Sequence, residues 1–293
     1  MSDAAASAQL RGRAETLGGA LPPLLAEAEH LAASIMPGEH GRRRAGMGDE
    51  FWQYRPATPG DEARMIDWRR SARSDAHYVR EKEWQAAQSV VFWVDPGRSM
   101  TFSGDKTRAP KGDRAKLLAL AAAVLLIRAG ERVGLAQPPL APGAGRMQLL
   151  RLTLGLEGEG EEDYGAPGAR DLPPRSRAVF LSDFLGDPAR VEAALTAAAD
   201  RGVRGALVQV LDPVEEAFPF DGRTIFTSMS GALRHETKRA GDLRDRYLER
   251  LAERKDRLAG LARATGWHYS CHHTGEAALT PLLWLYQVLE GAR

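Results

Sequence analysis

The stretch Ser89-Val90-Val91-Phe92-Trp93-Val94-Asp95-Pro96-Gly97-Arg98-Ser99-Met100 decides the fold. A β-branched and aromatic run ends in an acid; a Pro-Gly turn and then a hydroxyl follow. A short apolar run bounded by turn residues reads as a buried strand of a parallel sheet. Open α/β sheets bind ligands just beyond the carboxyl ends of their strands. Asp95 and Ser99 stand at that position. Either they hold a metal, or they belong to a binding fold that has lost its ion.

Downstream, apolar runs alternate with helical patterns. Ser89 to Asp95 is strand one. Asp113 reads as the cap of a helix over Arg114–Arg128, whose section Leu117–Ile127 is apolar nearly all round, as in a helix packed deep against a sheet. Arg132–Gln137 is strand two, and Met147–Thr153 a weaker third strand at an edge. Residues 155–174 form a Gly-, Glu- and Pro-rich loop, long enough to be functional. Arg177–Asp183 is strand four, and Asp187-Pro188 opens a helix to about Ala199. Gly205–Asp212 is strand five, Gly222–Ser230 a short extended addition and His235–Thr265 a long helix. Trp267–His273 is strand six and Ala277–Leu289 a closing helix. This alternation predicts an α/β fold with a doubly wound, mostly parallel sheet of Rossmann type, with strand order 3-2-1-4-5-6.

Two pieces precede the sheet. Residues 1–38 read as a disordered start and an N-terminal helix from Leu17 to Met36, closed by Pro37-Gly38. Helices of this length are marginal alone in water, so docking on the domain is expected. Residues 39–88 are a loop-rich, extended segment packed on the core; its charges of both signs alternate with Phe51, Trp52, Tyr54 and Trp68. Residues 89–293 form the α/β domain.

With a net charge of +1, no global field recruits nucleic acid or a membrane. The one cysteine, Cys271, allows no internal disulfide and reads as a small buried apolar residue in a strand. Residues 1–20 show no secretory pattern, and Leu117–Ile127, the longest apolar run, is too short to span a bilayer. A cytoplasmic protein is expected.

Three core strands end in acids: Asp95, Asp183 and Asp212. In the expected strand order, Asp95 and Asp183 face one crevice. Two carboxylates and the Ser99 hydroxyl make an oxygen-rich site of the kind that suits Mg²⁺. Against that stands the commoner job of such acids, capping the next turn or helix. Arg42, Arg43, Arg44, Arg69, Arg70 and Arg73 could contact phosphates, with Trp68 or Tyr54 stacking on bases. The acids interleaved among them favour an internal ion-pair network or a partner-binding surface. No Gly-x-Ser-x-Gly elbow and no phosphate-binding glycine motif is present. His268 and His272 share a strand face, without a third ligand for zinc.

The loop Asp95-Pro96-Gly97-Arg98-Ser99 resembles the Asp-x-Ser-x-Ser element of the metal-ion-dependent adhesion site in von Willebrand factor type A domains. Asp95 matches the acid, Ser99 the second serine and Asp183 a later acid. Gly97 replaces the first serine, and no threonine lies between Thr153 and Thr196 to match the middle one, so the site reads as degenerate. Gly46-Met47-Gly48-Asp49-Glu50-Phe51, Tyr54-Arg55-Pro56, Pro59-Gly60-Asp61-Glu62 and Arg64-Met65-Ile66-Asp67-Trp68-Arg69 resemble the signature of domain-of-unknown-function family 58. So do Leu211-Asp212-Pro213-Val214-Glu215-Glu216, Phe218-Pro219-Phe220 and Arg246-Tyr247. The resemblance runs from about Gly41 to Leu289. It implies a von Willebrand A-like fold and a MoxR-type AAA+ ATPase as partner.

The expectation is therefore a non-enzymatic adaptor or scaffold. A degenerate metal site would lie at Asp95, Ser99 and Asp183, with possible Mg²⁺, and partner contacts at Arg98, Arg42, Arg43, Arg44, Arg69 and Arg73. A Mg²⁺-dependent phosphoester hydrolase using Asp95 and Asp183 is one alternative; nucleic-acid binding through residues 42–73 is the other.

Overall fold

A computed structural model describes residues 22–35, 51–58, 66–72, 76–82, 87–158 and 160–290. In chain order the elements are α1 (Pro23–Ile35), β1 (Phe51–Pro56), α2 (Trp68–Ser71), β2 (Tyr78–Lys82), β3 (Ser89–Val94) and α3 (Lys111–Arg128). Then come β4 (Arg132–Leu135), β5 (Leu140–Gly143), α4 (Arg146–Gly155), β6 (Arg177–Ser182), α5 (Pro188–Asp200), β7 (Arg204–Leu211) and α6 (Pro213–Ala217). Last are β8 (Thr224–Thr227), β9 (Arg234–Thr237), α7 (Arg244–Thr265), β10 (His268–His273) and α8 (Leu279–Glu290). None of the described helices is long and apolar enough to cross a membrane.

Residues 38–87 form one compact unit and the rest of the chain another. In the smaller unit β1 and β2 pair antiparallel. Asp67 caps α2 by accepting from the Arg70 amide, and the Ser71 hydroxyl accepts from the Tyr78 amide. Trp68 meets His77 edge-on at 5.5 Å.

The larger unit is built on a six-stranded sheet of order β10-β7-β6-β3-β4-β5. Numbered along the sheet's own strands, this is the expected order 3-2-1-4-5-6. Every pairing is parallel except that of β4 with β5. Period-two alternation divides the core. Val90, Phe92 and Val94 face α1, α3, α4 and α8, and Val91 and Trp93 face α5 and α7. On the second face Trp93, Phe180 and Trp267 pack in a row, with centroids 5.8 and 4.9 Å apart. Leu25, Ala28 and Ala32 of α1 have no exposed surface and belong to the first layer, so this helix is docked as expected. Burying a leucine fully contributes about 1.5–3 kcal/mol.

Four elements differ from the sequence reading. Met147–Thr153 is not a strand: Leu149, Leu150 and Leu152 lie on the buried side of helix α4, and the edge strand is β5 instead. The buried Gln148 ties the two together, donating to Val133 O and Ala141 O at 2.8 and 2.9 Å. An edge strand tolerates Pro142, which has no amide to offer the ladder. Helix α3 starts at Lys111 rather than Arg114, behind Pro110, which places Asp113 in the first turn rather than at the cap. The long helix starts at Arg244, because Arg234–Thr237 pairs with β8 as a hairpin. Finally, Cys271 is only partly buried, on the outermost strand β10.

Candidate functional site

Strands β3 and β6 are neighbours, with Val94 opposite Leu181. From their carboxyl ends the chain leaves to opposite faces, into α3 on one and α5 on the other. This is the topological switch point of the sheet, where a crevice must open. Asp95 and Asp183 directly follow these neighbouring strands, and Asp95 N donates to Leu181 O at 2.9 Å.

Asp95 is 3 % exposed and fully engaged. Its Oδ1 accepts from the amides of Gly97 and Gly165 at 2.7 and 3.0 Å, and its Oδ2 from the Ser182 hydroxyl at 2.6 Å. Burial pushes its carboxyl above the usual range and the Asp183 charge adds to that; the three hydrogen bonds oppose it. Gly97 and Gly165 have a steric reason. A Cβ on Gly97 would lie 2.6 Å from Gly165 N, and one on Gly165 would lie 2.2 Å from Asp95 Oδ1. The loop at residues 160–165 therefore runs directly over the turn after β3, and its backbone takes the place a serine side chain would fill.

On the other side of the crevice lies a feature absent from the sequence reading. Lys111, at the start of α3, is 1 % exposed and points its ammonium between two acids. Its Nζ donates to Asp183 Oδ2 at 2.8 Å and to Glu215 Oε1 at 2.6 Å, and lies 5.6 Å from the centre of the Phe102 ring. The remaining carboxylate oxygens are also bound. Asp183 Oδ1 accepts from Leu185 N at 3.0 Å, and Glu215 Oε2 from Asp212 N at 2.9 Å. Burial lowers the Lys111 ammonium, but Asp183 and Glu215 together hold it above its ordinary value. Burial raises the Glu215 carboxyl, with Lys111 opposing.

Asp212 keeps its structural job. It caps α6 in a capping box with Glu215 and accepts from Arg108 at 3.1 Å and Thr274 at 3.2 Å. The Ser99 hydroxyl is different: it is 7 % exposed and has no partner. It lines an open cavity of about 150 Å³ together with Tyr164, Asp183, Glu215 and, from the β8–β9 hairpin, Ser228 and Met229. Asp163 pins that hairpin down, accepting from Ser230 N and Oγ at 2.7 Å each. The Ser230 hydroxyl chiefly holds the Asp163 carboxyl below its ordinary range, with the charge of the exposed Arg98 adding to that.

Mg²⁺ does not fit this donor set. A small hard cation needs near-octahedral oxygen at about 2.1 Å. Here an ammonium already takes the oxygens of Asp183 and Glu215 that face each other, and both oxygens of Asp95 are spent on the protein. Among the described residues no group of three His, Cys, Asp or Glu side chains could hold a metal. The histidines of β10 do not converge either. His268 is exposed, and His272 is buried with its Nε2 3.0 Å from Arg114. Burial, then Arg114, brings the His272 imidazole down to about 4.

Of the arginines singled out in the sequence, Arg98 is exposed in the turn before Ser99 and Arg69 is exposed on α2 in the smaller unit. Arg42, Arg43, Arg44 and Arg73 lie outside the described residues, as do residues 1–20.

The pattern of the family described as "Protein of unknown function DUF58" matches residues 53–257, more than half of the chain. The chain belongs to this family. Similar proteins include uncharacterised proteins of Mycobacterium tuberculosis and Mycobacterium bovis, 26% identical over 265 residues, which cover 85% of this chain and 82% of theirs. Among solved structures, an aerotolerance-related membrane protein from Bacteroides fragilis aligns with this DUF58 chain over 70% of its length and 100% of the other, at 13% identity and a TM-score of 0.40. The conserved hypothetical protein BatB from Bacteroides thetaiotaomicron aligns over 70% and 98%, at 13% identity and a TM-score of 0.39.

Lys111 and Glu215 are the site residues that sequence reasoning missed. Both left a signal. Lys111 stands in the first turn, ahead of the apolar section Leu117–Ile127 of the helix that packs against the sheet, where a buried charge would need a partner. Glu215 stands three residues after Asp212, the capping-box spacing, which accounts for only one of its two oxygens.

Proposed function

We propose that this protein is a non-enzymatic adaptor with a von Willebrand A-like sheet, whose strand carboxyl-end face meets a protein partner. The observation that carries the reading is the make-up of that face. Its deep acids are satisfied by the protein itself, which leaves no free carboxylate pair for acid–base or metal-assisted chemistry. Its rim offers contact surface. On the β8–β9 hairpin Ile225 and Met229 are each 44% exposed and Leu233 is 68% exposed, and Arg98 in the turn after β3 is exposed too. Methionine, arginine and large apolar side chains around a recess are the usual material of a protein–protein contact.

The partner implied by the family resemblance is a MoxR-type AAA+ ATPase, with assembly or maturation of other proteins as the shared task. A cytoplasmic setting goes with a single cysteine that leaves no disulfide within the chain. The test is direct binding of the purified chain to the purified MoxR-type ATPase of its own genome, by biolayer interferometry. Met229→Asp with Leu233→Asp should weaken binding at least about tenfold, since apolar anchors at a contact carry about 2 kcal/mol or more each. The thermal midpoint should stay within a degree or two, because both side chains face solvent. Undiminished binding would remove this face from the proposal.

A further inference from the structure

We propose that Lys111 is a built-in cation: its ammonium does for this site what a bound divalent ion would otherwise do, so that the carboxyl-end face is assembled without metal.

Three observations carry this. The first is position. The ammonium bridges Asp183, just past β6, and Glu215, in the helix after β7, so one charge ties together the ends of two adjacent parallel strands. A metal at a strand crest performs the same task of drawing separate loops onto one point. The second is burial. Lys111 and Asp183 are 1% and 0% exposed, and Glu215 is 15% exposed, so the cation is shielded from water and cannot exchange with the medium. The third is what remains unsatisfied. The Ser99 hydroxyl, buried and without a partner, lines the cavity that Asp183 and Glu215 also line. With the ammonium removed, Asp183 Oδ2 and Glu215 Oε1 would lose their shared donor, beside a cavity that this unpaired hydroxyl also lines.

A lysine that merely filled space would leave no such memory of a cation. If Lys111 replaces an ion, deleting its side chain should create a divalent-cation site where the natural protein has none. The chain in use comprises all 293 residues. Mn²⁺ serves as the probe, read by electron paramagnetic resonance of the free ion, and Mg²⁺ as the probe in thermal melts. The natural chain should bind no Mn²⁺ saturably, and its midpoint should be indifferent to Mg²⁺ and to chelator. Lys111→Ala should bind about one Mn²⁺, at least tenfold more tightly than any weak uptake by the natural chain, and its lowered midpoint should rise with Mg²⁺. Adding Asp183→Asn should abolish both effects.

Saturable Mn²⁺ binding by the natural chain that is lost in Asp183→Asn would overturn the proposal. So would a folded Lys111→Ala chain that ignores Mn²⁺. A Lys111→Ala chain that stays unfolded with Mg²⁺ and without it counts against it equally, because the vacated oxygens would then have failed to take an ion. The proposal deepens the contact-face reading by making that face metal-independent. Its metal measurements need no partner, so either can fail while the other stands.

Discussion

Replacing Lys111 by methionine, which keeps most of the volume and removes the charge, gives the sharpest stability test. The ammonium makes two short contacts, at 2.8 and 2.6 Å, in a place with 1% exposure. Removing one partner of a buried ion pair leaves the other charge uncompensated and costs about 3–5 kcal/mol. In a chain of this size each kcal/mol moves the midpoint by about 2–4 °C, so a fall of roughly 6–20 °C is expected. The pH dependence follows from Glu215. Its carboxyl is already raised by burial, and Lys111 is the chief opposing influence. Without the ammonium it rises further, and the folded variant binds a proton at a pH where the unfolded chain has released it. Stability then increases as pH falls. The difference between natural chain and variant should therefore be largest at pH 7 and smaller at pH 5, by urea denaturation at both. A loss below about 1 kcal/mol at pH 7, or a difference that grows on acidification, would refute the account of the triad.

Three further outcomes can be checked on the same material. Gly97→Ser restores the hydroxyl expected of a metal loop, but its Cβ would stand 2.6 Å from Gly165 N, so the midpoint should fall by an amount equivalent to about 1–3 kcal/mol; an unchanged melt would contradict the close passage of the two loops. Leu25→Ala should cost about 2–5 kcal/mol if α1 is part of the first core layer; a cost within a few tenths would show the helix undocked. His272, held down to about 4 by burial and by Arg114, should keep a neutral ring at pH 5; nitrogen NMR showing an imidazolium there would count against its buried placement.

Much of the fold could be read from residues because it rests on periodicity. Val90 to Val94 and Ala178 to Leu181 are continuous apolar runs, Gly205 to Leu211 is interrupted only by Gln209, and their spacing around helices admits few connections. The readings that failed lie where periodicity is ambiguous. Leu149, Leu150 and Leu152 fit either a short strand or a helix, and the deciding partner, Gln148 reaching back to β4, is a long-range contact. The β8–β9 hairpin was hidden for a similar reason: Arg234–Thr237 is polar and, apart from Thr237, exposed, so it carries no apolar alternation to mark it as a strand. The acids of the site were legible because they end strands. Their counter-ion was not, because Lys111 lies 72 residues from Asp183 and 104 from Glu215, distances that only the crossovers close.

The difference between Asp95-Pro96-Gly97-Arg98-Ser99 and the Asp-x-Ser-x-Ser element it resembles reads differently once Lys111 is in view. A site that had only lost its ligands would retain carboxylates in mutual repulsion at the crest, with raised proton affinity and a standing cost to stability. Here the protein itself supplies partners for these acids. Gly97 lets the Gly165 amide reach Asp95, which supplies hydrogen bonds where a serine would have supplied oxygen. The Lys111 ammonium supplies positive charge between Asp183 and Glu215. A diffusible ion gives a site a state that depends on concentration; a covalently attached one gives a single state. If the face is a contact surface as proposed, this removes the entropy of capturing an ion and the dependence on its supply. Selection acting on such a protein would hold Lys111, Asp183 and Glu215 together as a set, since altering any one of them leaves an unbalanced charge in a place that water barely reaches.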